Sequence, residues 1–285
     1  MIIEKVNSIG FCFGARRAID IVERLAHEHS GTETLGAVVH NQQVQQRLAE
    51  LGVRVAKDVG DIQGDIVTTS AHGVSPQVEE AIRARYVNLI DTTCPFVHRA
   101  QIAARRLADS GFSVVIFGDA DHPEVKGILG WTKGKGIATL DETFTATFNQ
   151  PTRRLGILSQ TTQIPAHFTA FVKKLMDSLF TKDSEMRIID TICHDLRERQ
   201  TAALELANRA DLMLVIGSHT SANTNNLVDL CSRVTKTYLV ETAAGIETSW
   251  FQDHYHIGIT AGASTAEQTI NEVLLKLQAI ANSLE

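Results

Sequence analysis

Short apolar runs, each ending in small and polar residues and each followed by an amphipathic stretch, recur along the 285 residues of the chain. The runs are TLGAVVHN (34–41), DIVTTSAHG (65–73), VNLIDTTCP (87–95), SVVIFGDADHP (113–123), RLGILSQTT (154–162), RIIDTICHD (187–195), LMLVIGSHTSAN (212–223) and YHIGITAGAS (255–264). Their apolar parts are strand-sized. The stretches between them carry apolar residues at helical spacing. Ile102, Ala103 and Leu107 mark one helix within 100–110, and Phe168, Phe171, Val172, Leu175 and Leu179 mark another within 167–180. Alternating strand and helix signals predict an α/β protein of mostly parallel sheets flanked by helices. About eight strands would build one large sheet or several small ones, and periodicity does not choose between them. The length points to two or three domains.

In open α/β sheets, ligands bind at the carboxyl ends of the strands. Here those ends carry His40, His72, Cys94, His122, Glu124, Thr161, Cys193, Ser221, Asn223 and Ser264. Such a concentration of reactive side chains predicts an enzyme site.

Composition narrows the class rather than the chemistry. With 44% apolar and 21% charged residues the chain is an ordinary globular one. Its net charge of −6, with no basic stripe in sequence, argues against nucleic acid as a partner. No apolar run approaches a membrane span, and MIIEKVNSIGFCFG lacks the basic start and long apolar core of a signal peptide, so a cytoplasmic protein with no membrane partner is expected. Thiols stay reduced there, which makes ligands, nucleophiles or core fillers of the four cysteines.

Cys231 lies in a helix-like stretch (227–233) and reads as a small apolar filler. Cys12, Cys94 and Cys193 are 82 and 99 residues apart, each where a strand-like segment ends. Three modules of roughly 90 residues, one cysteine each, explain that spacing. Glycines 10 and 14 flank Cys12, Cys94 precedes Pro95, and Cys193 sits in DTICHD before a helix. Three thiolates without a CxxC pair suit a zinc site poorly and a cubane cluster with one open iron better. As separate residues, each remains compatible with a buried filler.

His40, His72 and His122 each follow an apolar run directly. Imidazolium groups beside helix N-termini would make a strong anion site, although any single loop histidine is equally compatible with a local backbone bond. SHTSANTN (218–225) and AGAST (261–265) add hydroxyls, an amide and glycines at two further helix starts, as simple capping also would. Glu124 in HPEVKG is placed to deliver protons or to begin a helix, and Thr161 to relay a hydrogen bond or to cap.

Taken in order, GFCFGARRAI, VVHN, SAHGVS, DTTCPFV, DHPEVKGILG, SQTT, DTIC…RQ, GSHTSANTN and TAGAST resemble the 4-hydroxy-3-methylbut-2-enyl diphosphate reductases, iron–sulfur enzymes of the non-mevalonate isoprenoid pathway. The resemblance runs from residue 10 to residue 265. It implies three similar small α/β modules around a central cavity, spanning 12–93, 94–192 and 193–285, with a strand from residues 1–11 joining the third. It implies a 4Fe–4S cluster on Cys12, Cys94 and Cys193 with one iron not held by a protein thiolate. It also implies reductive removal of an allylic hydroxyl, with electrons from a donor such as ferredoxin or flavodoxin. By motif position, His40, His72 and His122 face the substrate, Ser221, Ala222, Asn223 and Ser264 lie at its diphosphate, and Glu124 supplies protons beside Thr161 and His122. The chain departs from the pattern at Ala222, where the family usually has serine, and at Asp195 and Leu196, where it usually has Ala-Thr. A redox-sensing iron–sulfur protein without turnover, or a divergent relative with another substrate, remains the alternative.

Overall fold

The computed structural model describes residues 1–85, 87–141, 143–144, 153–252 and 255–284. Among them are twelve strands in three four-stranded sheets, every pairing parallel. The first sheet holds β2 (Thr32–Leu35), β3 (Arg54–Ala56), β4 (Ile66–Thr68) and β5 (Asn88–Ile90) in the order β3-β2-β4-β5. The second holds β6 (Ser113–Phe117), β7 (Gly136–Thr139), β8 (Arg154–Ser159) and β9 (Glu185–Ile189) in the order β7-β6-β8-β9. In the third, β10 (Leu212–Ile216), β11 (Lys236–Val240) and β12 (His256–Ala261) are joined by the N-terminal β1 (Ile2–Lys5), in the order β11-β10-β12-β1. Counted within each sheet, the order 2-1-3-4 occurs three times, so this is an α/β fold of three similar modules. The third takes its fourth strand from the other end of the chain.

The central strands are continuous apolar runs because helices cover both faces. Leu212, Leu214 and Ile216 pack under α9 (Glu267–Leu284) with Ile270, Val273 and Leu277. Their alternates Met213 and Val215 face Leu206 of α7 (His194–Ala207) and Leu227 of α8 (Ala222–Ser232). The second sheet repeats the pattern. Val114, Ile116 and Leu158 pack with Ala104 and Leu107 of α4 (Pro95–Asp109), and Val115, Phe117 and Ile157 with Phe168, Phe171 and Leu175 of α6 (Pro165–Leu179).

The eight sequence-predicted runs all contain strands, with one change of boundary. TLGAVVHN is not a strand to its end: β2 stops at Leu35, Gly36 turns the chain at φ +74°, and Val38 and Val39 are buried in the loop that follows. Four strands lie outside those runs: β1, and the three strands β3, β7 and β11, which occupy the same edge of their sheets. Those three, RVA, GIAT and KTYLV, are short or interrupted by polar residues and offer no continuous apolar run.

The chain divides into two compact units. One comprises residues 1–16, 39–46 and 194–285 and carries the third sheet; the other comprises 17–38 and 47–193 and carries the first two. Four of the five prolines open helices: α3 (Pro76–Arg83), α4, α5 (Pro123–Gly130) and α6. Proline suits the first helical position, where its missing N–H is no loss. It also drives the preceding residue out of the helical region, which holds Cys94 and His122 as extended cap residues at the ends of strands.

Candidate active site

The three cysteines singled out by sequence occupy one repeated position. Each lies between the fourth strand of a sheet and the helix that follows: Cys12 between β1 and α1 (Phe13–Glu28), Cys94 between β5 and α4, Cys193 between β9 and α7. In each case the cysteine N–H donates to a carbonyl just past the third strand, Cys12 to Ala263 (2.8 Å), Cys94 to Ala71 (3.0 Å) and Cys193 to Thr161 (2.9 Å). None is disulfide-bonded among the described residues; Cys12 and Cys94 are partly exposed and Cys193 is buried. The Cys12 sulfur also accepts the Ala15 N–H at 3.4 Å. Burial raises the Cys12 thiol, and nearby Asp195 adds to the rise while Arg199 and the N–H bonds oppose it. Cys231 is different. It is fully buried on α8, its thiol pushed up to about 12 by desolvation, and its sulfur lies 3.9 Å from the Ala203 carbonyl on α7. It is the core filler that its helical setting predicts.

In the second sheet a buried acid stands beside one of these positions. Glu124, the second residue of α5, is only 2% exposed. Its Oε1 accepts the Thr161 N–H at 2.7 Å and its Oε2 the Thr161 hydroxyl at 2.9 Å. Burial raises its pKa from 4.5 to about 7 against those two bonds, each of which lowers it. Thr161 therefore holds Glu124 with its N–H and Oγ1 and the Cys193 backbone with its carbonyl. His122, the cap of α5, accepts the Glu124 N–H on Nδ1 at 3.2 Å, which leaves the ring proton of the neutral form on Nε2. Its ring meets that of His72 edge to face, centroids 5.3 Å apart. His72 Nδ1 lies 3.3 Å from Ser70 Oγ. The loop carrying His72 turns at Gly73, φ +68°, where a Cβ would fall 2.6 Å from Gln101 Nε2 and 2.7 Å from Thr93 Cγ2. His72, Cys94, His122, Glu124, Thr161 and Cys193 thus share one compact unit.

The other unit gathers the remaining residues. Ser221 caps α8, its hydroxyl accepting the Thr224 N–H at 3.4 Å. Ala222 is the first residue of that helix and presents no hydroxyl. Asn223 is 4% exposed, and neither its Oδ1 nor its Nδ2 has a hydrogen-bond partner among the described residues. Buried amides are ordinarily paired, so this one keeps its hydrogen-bonding capacity open. Ser264 Oγ donates to the His40 carbonyl at 3.3 Å, and Asn41 Nδ2 donates to the Ser264 carbonyl at 2.8 Å. Asn41 was not singled out by sequence. It caps α2 (Gln42–Glu50) by accepting the Val44 N–H at 2.9 Å, and an asparagine before a helical run was the available signal. Burial pushes the His40 pKa below the ordinary imidazole value, which works against the imidazolium form.

Asp195 and Leu196 stand at the start of α7. Asp195 Oδ2 accepts Arg199 Nε at 3.3 Å, and the buried Arg199 donates through Nη1 to the Gly10 carbonyl at 2.8 Å. Leu196 is buried as an apolar residue should be. The family model described as LytB protein matches residues 3–278. The chain belongs to the LytB protein family. Proteins named 4-hydroxy-3-methylbut-2-enyl diphosphate reductase are among its relatives in that family. One from Dehalococcoides mccartyi is 57% identical over 96% of both chains, and one from Geobacter metallireducens is 39% identical over 95% of both. The solved E-1-hydroxy-2-methyl-but-2-enyl-4-diphosphate reductase from Plasmodium falciparum superposes with a TM-score of 0.91 at 27% identity, covering 97% of this chain and 88% of its own. A second solved structure is described as (E)-4-hydroxy-3-methyl-but-2-enyl diphosphate reductase, the terminal enzyme of the non-mevalonate pathway. It gives a TM-score of 0.69 at 34% identity, covering 98% of this chain and all of its own.

Proposed function

We propose that this chain removes the allylic hydroxyl of 4-hydroxy-3-methylbut-2-enyl diphosphate. Two electrons and two protons enter, the C–O bond breaks, and water leaves with isopentenyl and dimethylallyl diphosphate as products. The observation that carries this reading is Glu124: a buried carboxyl poised near pH 7 and fixed through Thr161 to the loop that holds Cys193. A redox sensor without turnover has no use for such an acid.

The donor set fits a 4Fe–4S cluster. Three thiols outside any disulfide recur at one position of a threefold motif, while the fourth cysteine is packed away as core. Cys12, Cys94 and Cys193 would hold the cluster, and an iron without a thiolate would supply Lewis acidity and electrons at the hydroxyl. The rest falls to the protein. Protonated Glu124, held by Thr161, delivers a proton to the departing oxygen. His122 is oriented by the Glu124 N–H, and with His72 and His40 it donates to the substrate. The α8 cap Ser221, the unpaired Asn223 amide and Ser264 bind the diphosphate, where the α8 N–H groups also favour an anion. Ala222 contributes its backbone alone.

We also propose the module limits 12–93, 94–192 and 193–285, a cytoplasmic setting, and ferredoxin or flavodoxin as electron donor. No helix among the described residues is long and apolar enough to cross a membrane. The test is an anaerobic assay of iron-reconstituted protein with the diphosphate substrate and reduced methyl viologen. Consumption of substrate to the two isomeric diphosphates is expected, and none from protein with full iron content overturns the reading.

A further inference from the structure

The compact unit holding Cys94 carries a cavity of about 550 Å³ that the chemistry above leaves unused. One side of it is a single stripe of α4. Pro95, His98, Arg99, Ile102, Ala103 and Arg106 line it, at the spacing of successive helical turns. The opposite stripe of the same helix, including Val97, Ala100, Ala104 and Leu107, is buried in the core. Arg17 and Ile189 complete the wall, and Asp91 is the carboxylate that lines it. The cavity lies beside the Cys94 turn, because its lining includes Thr93 and Pro95, the two neighbours of Cys94 in sequence.

The charges there are uncommitted. Arg17 Nη1 donates to the Thr93 carbonyl at 3.3 Å and Arg99 Nη2 to the Asp190 carbonyl at 3.0 Å. None of Arg17, Arg99 and Arg106 is ion-paired among the described residues. Asp91 is occupied locally, its Oδ1 accepting the Thr93 N–H at 2.9 Å and the Thr69 hydroxyl at 3.2 Å. Three unpaired guanidinium groups against one carboxylate make a positive patch on a chain of net charge −6. At its centre Ile102 is 40% exposed. An apolar centre ringed by one sign of charge is the form of small, fast, charge-steered interfaces. Electron-transfer encounters belong to that class and bury little surface.

We propose that this face of α4 is the docking surface for a small acidic electron-carrier protein of the ferredoxin kind, and that it delivers electrons beside Cys94. The inference rests on the reductase reading, since the reaction consumes two electrons that the chain must receive from outside. A carrier of one electron docks twice per turnover and leaves oxidised each time. On a chain of net charge −6, a patch of three arginines against one carboxylate gives an acidic partner a preferred face. From Pro95 to Arg106 the stripe is about 16 Å long, enough for a footprint of that small class.

The test separates carrier from chemistry. Arg99→Glu/Arg106→Glu protein, iron-reconstituted, is assayed with a reduced acidic ferredoxin and, in parallel, with reduced methyl viologen, a small cation that needs no docking face. The expected result is a KM for ferredoxin raised by about tenfold or more, with viologen-driven turnover within about twofold of wild type. The Kd of ferredoxin, measured by calorimetry without substrate, should weaken in parallel and lose most of its salt dependence. Unchanged ferredoxin KM and Kd in the variant overturn the proposal. So does a cavity that binds inorganic phosphate through Arg99 and Arg106 while ferredoxin binding ignores the substitutions. If the loaded wild type fails with viologen, the reductase reading falls, and the calorimetric comparison still decides the docking face.

Discussion

Glu124 and Thr161 show how a single residue pair sets a protonation state. Two hydrogen bonds from Thr161 would ordinarily hold a carboxyl below its usual range, yet burial outweighs them and leaves it at about 7. Glu124→Gln keeps the shape and removes the proton, so kcat is expected to fall by about 10²–10⁴, with KM nearly unchanged. The same substitution has a signature in stability. Below pH 4.5 the carboxyl is protonated in the folded and the unfolded chain alike and contributes no difference. Between 4.5 and about 7 the unfolded chain ionises while the folded one keeps its proton, so wild-type stability falls as pH rises, by about 3 kcal/mol once above 7. Denaturant unfolding across that range should show this slope in wild type and not in Glu124→Gln. Thr161→Val removes the hydroxyl bond that lowers the pKa, and the alkaline limb of the kcat–pH profile should move to higher pH. A limb that stays in place in that variant assigns it to another group. The acid was legible in the sequence as a carboxylate in a strand-end turn. Its protonation was not, because burial is created by packing from residues far away in sequence.

At the scale of elements, the most legible strands were those that a sheet buries on both faces. Runs such as LMLVI and SVVIF announce central strands, whereas RVA, GIAT and KTYLV, on one edge of their sheets, do not. The loop after β4 illustrates what a pattern omits. SAHG was readable as a turn with a histidine, but Gly73 is required twice over, by its positive φ and by the closeness of Gln101 and Thr93. Gly73→Ala therefore strains the backbone and forces a side chain or loop to shift, at a cost of about 2–4 kcal/mol. Because Thr93 precedes Cys94, the damage should reach the metal position. Urea unfolding is expected to show the loss of stability, and iron content after reconstitution to fall with it. An alanine variant with wild-type midpoint and iron content would mean that the loop accommodates the Cβ freely.

At the scale of the whole molecule, the 2-1-3-4 sheet repeated three times makes the cysteines equivalent in a way that their spacing only suggested. Each follows a fourth strand, each N–H is tied to a carbonyl beyond a third strand, and β1 supplies the missing fourth strand of the last module. Cys12 therefore depends on the pairing of the N-terminus with β12, although it stands near the start of the chain. The helical setting of Cys231 marked it as a filler in sequence, but nothing in the sequence made the other three equivalent. Position in the repeat does so. Serine at Cys12, Cys94 or Cys193 should each reduce bound iron and the visible absorbance of the reconstituted protein severely and to a similar degree, since each removes one of three thiolates. Cys231→Ser should keep full iron content and lose only packing, at about 1 kcal/mol, because its sulfur lies between α7 and α8 and touches no repeated position. If Cys231→Ser lost iron as fully as the others, or one of the three serine variants kept it, the equivalence drawn from the fold would not extend to the metal.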